Sequence, residues 1–482
     1  MTSVARVVSG SESLADKVER VFRGLVIDKR RLPASQLQKR GVPAYVGEWL
    51  LDTLVPGRGE LTEEEARKVR EWAEKYVPGP NDQQIIKHRL LQGEVIKVLT
   101  PVQVEVSLAR AKRSAKLRLL GIEDAAISDE LPTRYPDLLR HGMWGIVELL
   151  STGDGVAIQS FRPMQASLDL GLYKEARQEF TLDEWLQLIL TSMGYAPEAF
   201  STEEQLLLIA RLLPLVQKNL HLLELAPKAT GKSYFYENIS ARVRLISGGN
   251  ITPAVLFVNN ATGQWGLLAR YAVVVLDEVQ TLKFEKPEEI IGGLKGFLAN
   301  GRLTRGGLHE ASSDCSFVML ANVPLDEKQE PIIQQNSLVD YLPEFMRETA
   351  FLDRIKGLLP GWKIRKLSKE AFANSVGLKA DFFGDALLAL RDDLEIDQYC
   401  VRRIRLRGDR PYARNEIAVQ ALASGMMKIL FPHGRVSDWD FRRYCVEPAV
   451  QLRQGIWNLL YQLDGEYRQW DRLIEAEIVP TS

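Results

Sequence analysis

Residues 222–233 begin as an apolar run, Leu222, Leu223, Glu224 and Leu225, and end in a short loop closed by Gly231, Lys232 and Ser233. A strand, a tight loop and a helix-compatible segment over Tyr234 to Ser240 make a cradle for phosphate. Main-chain groups of Ala226, Pro227, Lys228, Ala229, Thr230 and Gly231 would line it, with N–H donors from all but Pro227. Lys232 can reach the outer phosphates of ATP, and the Ser233 hydroxyl can take a place on Mg²⁺. The pattern departs from G-x-x-x-x-G-K-[ST] at one position, because Ala226 stands where the first glycine is usual. The run Ala272 to Leu276 then delivers Asp277 and Glu278, with Asp277 lying 45 residues after Lys232. Two carboxylates at the end of a buried strand suit two tasks: Asp277 holding Mg²⁺ through water, and Glu278 orienting and deprotonating an attacking water. Another 45 residues on, the apolar run Phe317 to Ala321 ends in Asn322, an amide able to position that water or touch the γ-phosphate.

These groups need strands buried on both faces, and their sequences read that way, as continuous apolar runs without alternation. Other parts of the 482-residue chain read differently. Residues 1–80 read as a helical domain: apolar spacing after Ser13, a segment after Pro43, and a capping box from Thr62 to Glu65. Residues 81–180 read as a β-rich, OB-like basic module, with apolar residues on alternate positions from Val95 to Val106. Between residues 84 and 121 eight Lys/Arg face two acids, although the whole chain carries a net charge of −1. Arg110, Lys112, Arg113 and Lys116 in that run are candidate contacts to a polyanion such as DNA; the alternative is a solvated hairpin tip. Residues 181–360 form the expected α/β core, opened by a capping box at Thr181 and Glu184, and 361–482 a helical lid with C-terminal helices.

Composition sets further bounds. With 45% apolar and 26% charged residues the chain is an ordinary soluble one, and no stretch of eighteen uncharged apolar residues occurs, so a cytoplasmic protein without a membrane partner is expected. Three widely spaced cysteines exclude a disulfide scaffold, and five histidines at unrelated spacings point to packing or surface positions rather than metal ligands.

Order and spacing of the three strand ends resemble the AAA+ ATPases, with Walker A at 226–233, Walker B at Asp277 and Glu278, and sensor 1 at Asn322. The resemblance implies a ring in which a neighbour's arginine completes the site. Arg354 occupies the place of that arginine finger, with Arg347 as runner-up; the bland alternative is a local pair of Arg354 with Asp353. Arg414 stands where sensor 2 is expected. The segment 297–307, bracketed by Asn300-Gly301 and Gly306-Gly307, suits a hairpin that in such motors projects into the pore. Arg302 and Arg305 would there contact phosphates, or else pair with Glu310 or a neighbouring subunit.

Six segments narrow the resemblance: Asp16–Val26, Pro43–Val46, Trp144–Leu149, Leu245–Gly249, Val274–Val279 and Phe351–Gly357. Together they resemble the BrxL family, Lon-like AAA+ proteins of the BREX bacteriophage-defence systems, over nearly the whole chain. This implies an ATP-dependent motor or clamp on DNA, read as double-stranded with weak sequence preference. It also implies a homo-oligomer, hexameric or of stacked hexamers, with other BREX proteins as further partners. Many relatives continue into a protease-like domain with a Ser-Lys dyad. This chain ends about thirty residues after Val450, and Ser424 and Lys428 lie on a helix whose neighbours mark it as packing, so no proteolysis is expected. The competing readings are a Lon-type protein unfoldase, which would use aromatic pore loops, and a scaffold that uses ATP only to assemble.

Overall fold

A computed structural model describes residues 12–480, apart from 109–110, 154, 165–167, 306–308 and 334–336. The chain opens with α1 (Leu14–Val21), capped by Ser13, whose hydroxyl accepts from the Asp16 N–H. Val18 and Phe22 do not pack on the helices that follow. They enter the central core, where the Phe22 ring meets Tyr173, Phe180, Trp185 and Phe382. Next, β1 (Val26–Asp28) pairs antiparallel with residues 376–378, Val26 opposite Leu378. The helices α2 (Ala44–Leu54) and α3 (Glu63–Tyr76) form a separate small core around Val46, Leu50, Leu51 and Val69. The Thr62–Glu65 capping box starts α3 with both reciprocal bonds in place.

A closed five-stranded barrel follows: β2 (Ile96–Ser107), β3 (Lys112–Leu117), β4 (Ile122–Ala126), β5 (Met143–Ser151) and β6 (Val156–Pro163). Its order is β2-β3-β4-β6-β5, with β5 returning to β2, and every contact is antiparallel except β4 to β6. Alternate residues point inward, as the period-two pattern requires, and Val98, Val102, Val104, Val147 and Leu149 fill the interior. Between β4 and β5 the chain makes a short turn of helix, α4 (Asp137–Arg140), which leaves the barrel toward the rest of the molecule.

The central sheet has five parallel strands: β7 (Leu222–Ala226), β8 (Val243–Ser247), β9 (Val273–Asp277), β10 (Ser316–Asn322) and β11 (Gly357–Pro360). They lie in the order β11-β7-β10-β9-β8. All five residues of β7 and of β9 are buried, which is why both runs lack polar alternation. Register places Asn322 directly beside Ala226, and Leu276 beside Met319, so the C-terminal ends of β7, β10 and β9 share one edge. Long helices Ala413–Leu430 and Glu447–Leu463 pack on each other, and the second covers β11. None of the described helices is long and apolar enough to cross a membrane.

Candidate functional site

At the end of β7 the backbone turns through Ala229 at φ 67° and Gly231 at φ 74°, and the helix Lys232–Asn238 begins. Its first N–H groups therefore open toward the loop, as an anion site needs. Ala226 is still extended strand, so no left-handed backbone demands glycine there. Its methyl has room because the residue facing it is Gly361: a Cβ at 361 would fall 2.5 Å from the Ala226 Cβ. The absent first glycine is thus matched by a glycine on the neighbouring chain segment. A Cβ at Gly231 would meet Leu367 at 2.6 Å, and the Leu367 N–H donates to the Ala229 carbonyl at 2.9 Å, so the segment after β11 straps the loop.

Three adjacent strands bring their polar ends together. The Lys232 ammonium donates to Asn322 Oδ1 at 2.7 Å, and Asn322 Nδ2 lies 3.5 Å from Glu278 Oε1, at the outer limit of a hydrogen bond. Lys232 is 6% exposed, and burial pulls its pKa below the usual lysine range against the opposing pull of Glu224 and Asp277. Such a lysine is poised to gain from an incoming anion. Glu278 sits at φ 48°, an uncommon backbone for a non-glycine residue, and its N–H donates to Asp277 Oδ1 at 2.8 Å. That turn leaves Asp277 buried and aims the Glu278 carboxylate at the amide of Asn322. Ser233 and Asp277 offer hard oxygen donors suited to Mg²⁺, and among the described residues no cluster of three or more His, Cys, Asp or Glu could hold a metal alone. A Mg²⁺ here fits only together with the phosphate oxygens of a nucleotide.

Beneath the loop lies a buried network that sequence reasoning missed. Arg211, wholly buried, forks onto Glu224 at 2.6 and 3.2 Å and donates to Tyr195 Oη at 3.1 Å and the Thr230 carbonyl at 3.0 Å. The signal was present in Glu224 itself, since a carboxylate in a doubly buried apolar strand requires a buried cation.

The other sequence candidates lie elsewhere. Because β11 runs parallel to β7, the helix turn before it (Thr349–Leu352) stands at the sheet edge opposite the loop. Arg354 follows that turn, donates to the Ala350 carbonyl, and leaves its Nε buried without a partner. It is not paired with Asp353, whose buried carboxylate is claimed by Arg453 at 3.0 Å, by Tyr412 at 2.9 Å and by Arg414. Arg414, expected at the nucleotide as sensor 2, is instead drawn to that opposite edge by this charge. Arg347 is tied to the carbonyls of Leu342 and Asp340.

The expected hairpin forms from residues 302–305 and 309–312, paired antiparallel. Arg302 is exposed, 3.7 Å from Glu310. Arg305, expected to face phosphate, is turned inward to Glu289 at 2.6 Å and to the Val258 carbonyl. The basic run is also less free than its count suggests, because acids both within it and beyond it pair with its cations. Arg113 pairs with Asp129, and Lys116 with Glu105 at 2.9 Å and Glu123 at 3.5 Å. Lys112 is exposed on β3, and Arg110 lies outside the described residues. Ser424 and Lys428 both bind Asp397 inside the packed helix.

Comparison with known proteins bears on this arrangement. The family described as "Lon-like protease BrxL-like, ATPase domain" matches residues 156–472, and "BREX system Lon protease-like protein BrxL N-terminal" matches 20–150. The chain belongs to the BrxL family. The curated "Lon-like protease BrxL" of Escherichia coli O9:H4 (strain HS) is 28% identical over 472 residues, covering 96% of this chain and 67% of its own. The BrxL of Bacillus cereus (strain H3081.97) is 30% identical over 436 residues, covering 88% of this chain and 63% of its own. The chain thus spans about two thirds of the BrxL relatives it matches. A solved full-length MCM homologue from Methanopyrus kandleri superposes with a TM-score of 0.40 at 13% identity, covering 88% of this chain and 100% of that one, a likeness too loose to carry an argument. The loop, the acidic strand and Asn322 all fall inside the matched BrxL ATPase domain.

Proposed function

We propose that this chain is an ATP-hydrolysing AAA+ subunit of a DNA-associated ring, a motor or clamp acting in BREX bacteriophage defence. The observation that carries the reading is the convergence of Lys232, Asn322 and Glu278 from three neighbouring strands at one sheet edge beside a phosphate loop. In this reading Lys232 exchanges its amide acceptor for the outer phosphates of ATP. Asn322, released from the lysine, orients the attacking water, and Glu278 takes its proton. Ser233 and Asp277 would hold Mg²⁺, which neutralises charge on the phosphates when bound. Arg354 cannot serve its own loop, since it stands at the opposite edge; it would complete the site of the next subunit, with Arg414 beside it, and this supports a closed homo-oligomer, hexameric or of stacked hexamers.

The DNA partner rests on the barrel and the hairpin. A five-stranded barrel ordered 1-2-3-5-4 with one parallel closing contact supports the OB-like assignment, a scaffold that binds oligonucleotides. Exposed Lys112 and Arg302 are the contacts proposed for phosphates, whereas Arg305 and Lys116 shape their elements. The domain boundaries 1–80, 81–180, 181–360 and 361–482 belong to the same proposal, with residues 12–28 of the first packed on the third at Trp185 and paired with the fourth at 376–378. No protease activity is proposed, because Ser424 and Lys428 are consumed by Asp397.

Two variants test the reading. Glu278→Gln should bind ATP yet lose hydrolysis by about 10²–10⁴-fold. Lys232→Ala and Arg354→Ala should each be inactive alone and regain turnover when mixed, since mixed interfaces pair an intact loop with an intact arginine. Wild-type turnover in Glu278→Gln, or no regain on mixing, would remove the catalytic or the inter-subunit assignment respectively. DNA binding that is indifferent to salt would remove the electrostatic contact.

A further inference from the structure

At the sheet edge opposite the nucleotide loop, a cavity of about 300 Å³ lies where three parts of the molecule meet. Asp137 to His141 arrive from the barrel, Arg242, Arg270 and Ala272 from the sheet, and Arg391 from the helical region that follows it. The side chain of His141 is 4% exposed, and Arg391 is 7% exposed.

Four buried nitrogen atoms on residues that line this cavity have no hydrogen-bond partner: His141 Nε2, Arg242 Nε, Arg270 Nη2 and Arg391 Nε. They are four of only ten such side-chain atoms among the described residues. Three are guanidinium N–H groups, which can only donate. The carboxylates at the cavity are already engaged. Asp137 receives Arg242 Nη2 at 3.0 Å and lies 3.9 Å from His141 Nε2, Asp385 stands 4.0 Å from Arg242 Nε, and Lys218 holds Asp314 at 3.1 Å and Asp392 at 2.6 Å. Arg270 and Arg391 reach main-chain carbonyls and the Ser316 hydroxyl, but no carboxylate. Burial holds the Arg391 pKa below its ordinary value, the direction for a guanidinium whose charge is under-compensated.

Two demands follow from this lining: the unpartnered guanidinium N–H groups need acceptors, and, among the described residues, five cationic side chains, Arg140, Lys218, Arg242, Arg270 and Arg391, face only three carboxylates, Asp137, Asp314 and Asp392. An oxyanion bearing several acceptor oxygens and negative charge answers both demands. We propose that this seam is a second anion site, separate from the ATP site, which takes a small phosphate-bearing ligand. The burial of His141 and Arg391 sets the size of the ligand: it must enter the cavity, which a duplex backbone passing over the surface cannot do. About 300 Å³ accommodates a phosphate or diphosphate group with part of whatever carries it. Bound there, the ligand would join the barrel's α4 to the sheet and to the helix end at Arg391, fixing the barrel against the ATPase core.

The test uses the full chain carrying Lys232→Ala, so that the nucleotide loop does not register, titrated calorimetrically at constant ionic strength without Mg²⁺. Orthophosphate, pyrophosphate and AMP are separate arms, distinguishing free inorganic phosphate from a nucleotide's phosphate. Saturable binding of at least one probe at one site per chain is expected, weakened about tenfold or more by Arg270→Gln, which removes one charged donor. Arg270 is half-buried and bonds only one carbonyl, so this variant should fold; ATP binding by Arg270→Gln with Lys232 intact checks that it does. No saturable binding of any probe, or equal binding with and without Arg270→Gln, would overturn the proposal. So would a short DNA duplex that binds through Arg270 when none of the three small probes does.

Discussion

Replacing Arg211 with Met tests the buried network under the phosphate loop. The substitution keeps most of the side-chain volume and removes the guanidinium that holds Glu224, Tyr195 and Thr230. Both members of the ion pair are essentially without solvent, at 0% and 2% side-chain exposure, so the remaining carboxylate has no water to turn to. Breaking a buried pair from one side costs about 3–5 kcal/mol. At roughly 2–4 °C per kcal/mol for a unit of 150–250 residues, the melting transition of the central unit should fall by about 6–20 °C. Removing the second charge as well, in Arg211→Met with Glu224→Leu, should recover most of that loss, since two apolar groups can replace a buried pair at little cost. Nucleotide affinity should not recover with it, because the Thr230 carbonyl still lacks its donor. Differential scanning fluorimetry and ADP titration on the single and double variants separate the two effects. A single variant that melts within about 2 °C of wild type, less than 1 kcal/mol at this conversion, would refute the reasoning, as would a double variant no better than the single.

Further outcomes follow from neighbouring geometry. Asn322→Ala should lower ATP turnover by about 10²-fold while ATP still binds, read by a phosphate-release assay alongside nucleotide titration. Gly361→Ala places a methyl 2.5 Å from the Ala226 Cβ and 2.8 Å from Glu224 Oε1, so it should destabilise by about 1–3 kcal/mol, and Ala226→Gly in the same chain should relieve only the first contact and recover part of the loss, read as melting temperature. His221 is fully buried, with Nδ1 accepting the Phe317 N–H, and burial lowers its pKa to about 3. Its neutral form is therefore the folded form, and the stability this supplies is present above pH ~6.5 and lost as pH falls toward 3, at about 1.4 kcal/mol per unit. Urea unfolding at pH 7 and pH 5 should show wild type losing about 2 kcal/mol more than His221→Gln.

The chemistry at the loop was legible because it is written in main-chain geometry and strand ends. Gly231 admits the left-handed turn that closes the loop, and an apolar strand ending in Asp277-Glu278 can deliver its carboxylates only at its end. Capping boxes at Thr62 and Thr181 were legible for the same reason, being local in sequence. Long-range pairing was not. Arg305 reads as free until Glu289 and Val258 close on it, Arg414 until Asp353 does, and Lys116 until Glu123 adds to Glu105. A count of charges along a segment cannot see acids brought in by the fold. Likewise the exchange of Ala226 and Gly361 joins the end of β7 to the residue just past β11, and only the pairing of the two strands reveals it.

The pairing of β1 with residues 376–378 carries a consequence for biogenesis. Lys379 Nζ reaches the Gly24 carbonyl across 355 residues of chain, and Ile27 waits opposite Gly377. At roughly 5–20 residues per second, some 20–70 s separate the synthesis of the first strand from that of its partner. Until Tyr173, Phe180 and Trp185 are made Phe22 has no ring to cover it, and for the whole interval the first strand stays unpaired, while the barrel, whose strands are neighbours in sequence, can already close. The pairing of this first strand is therefore a late step of assembly, and one open to a chaperone.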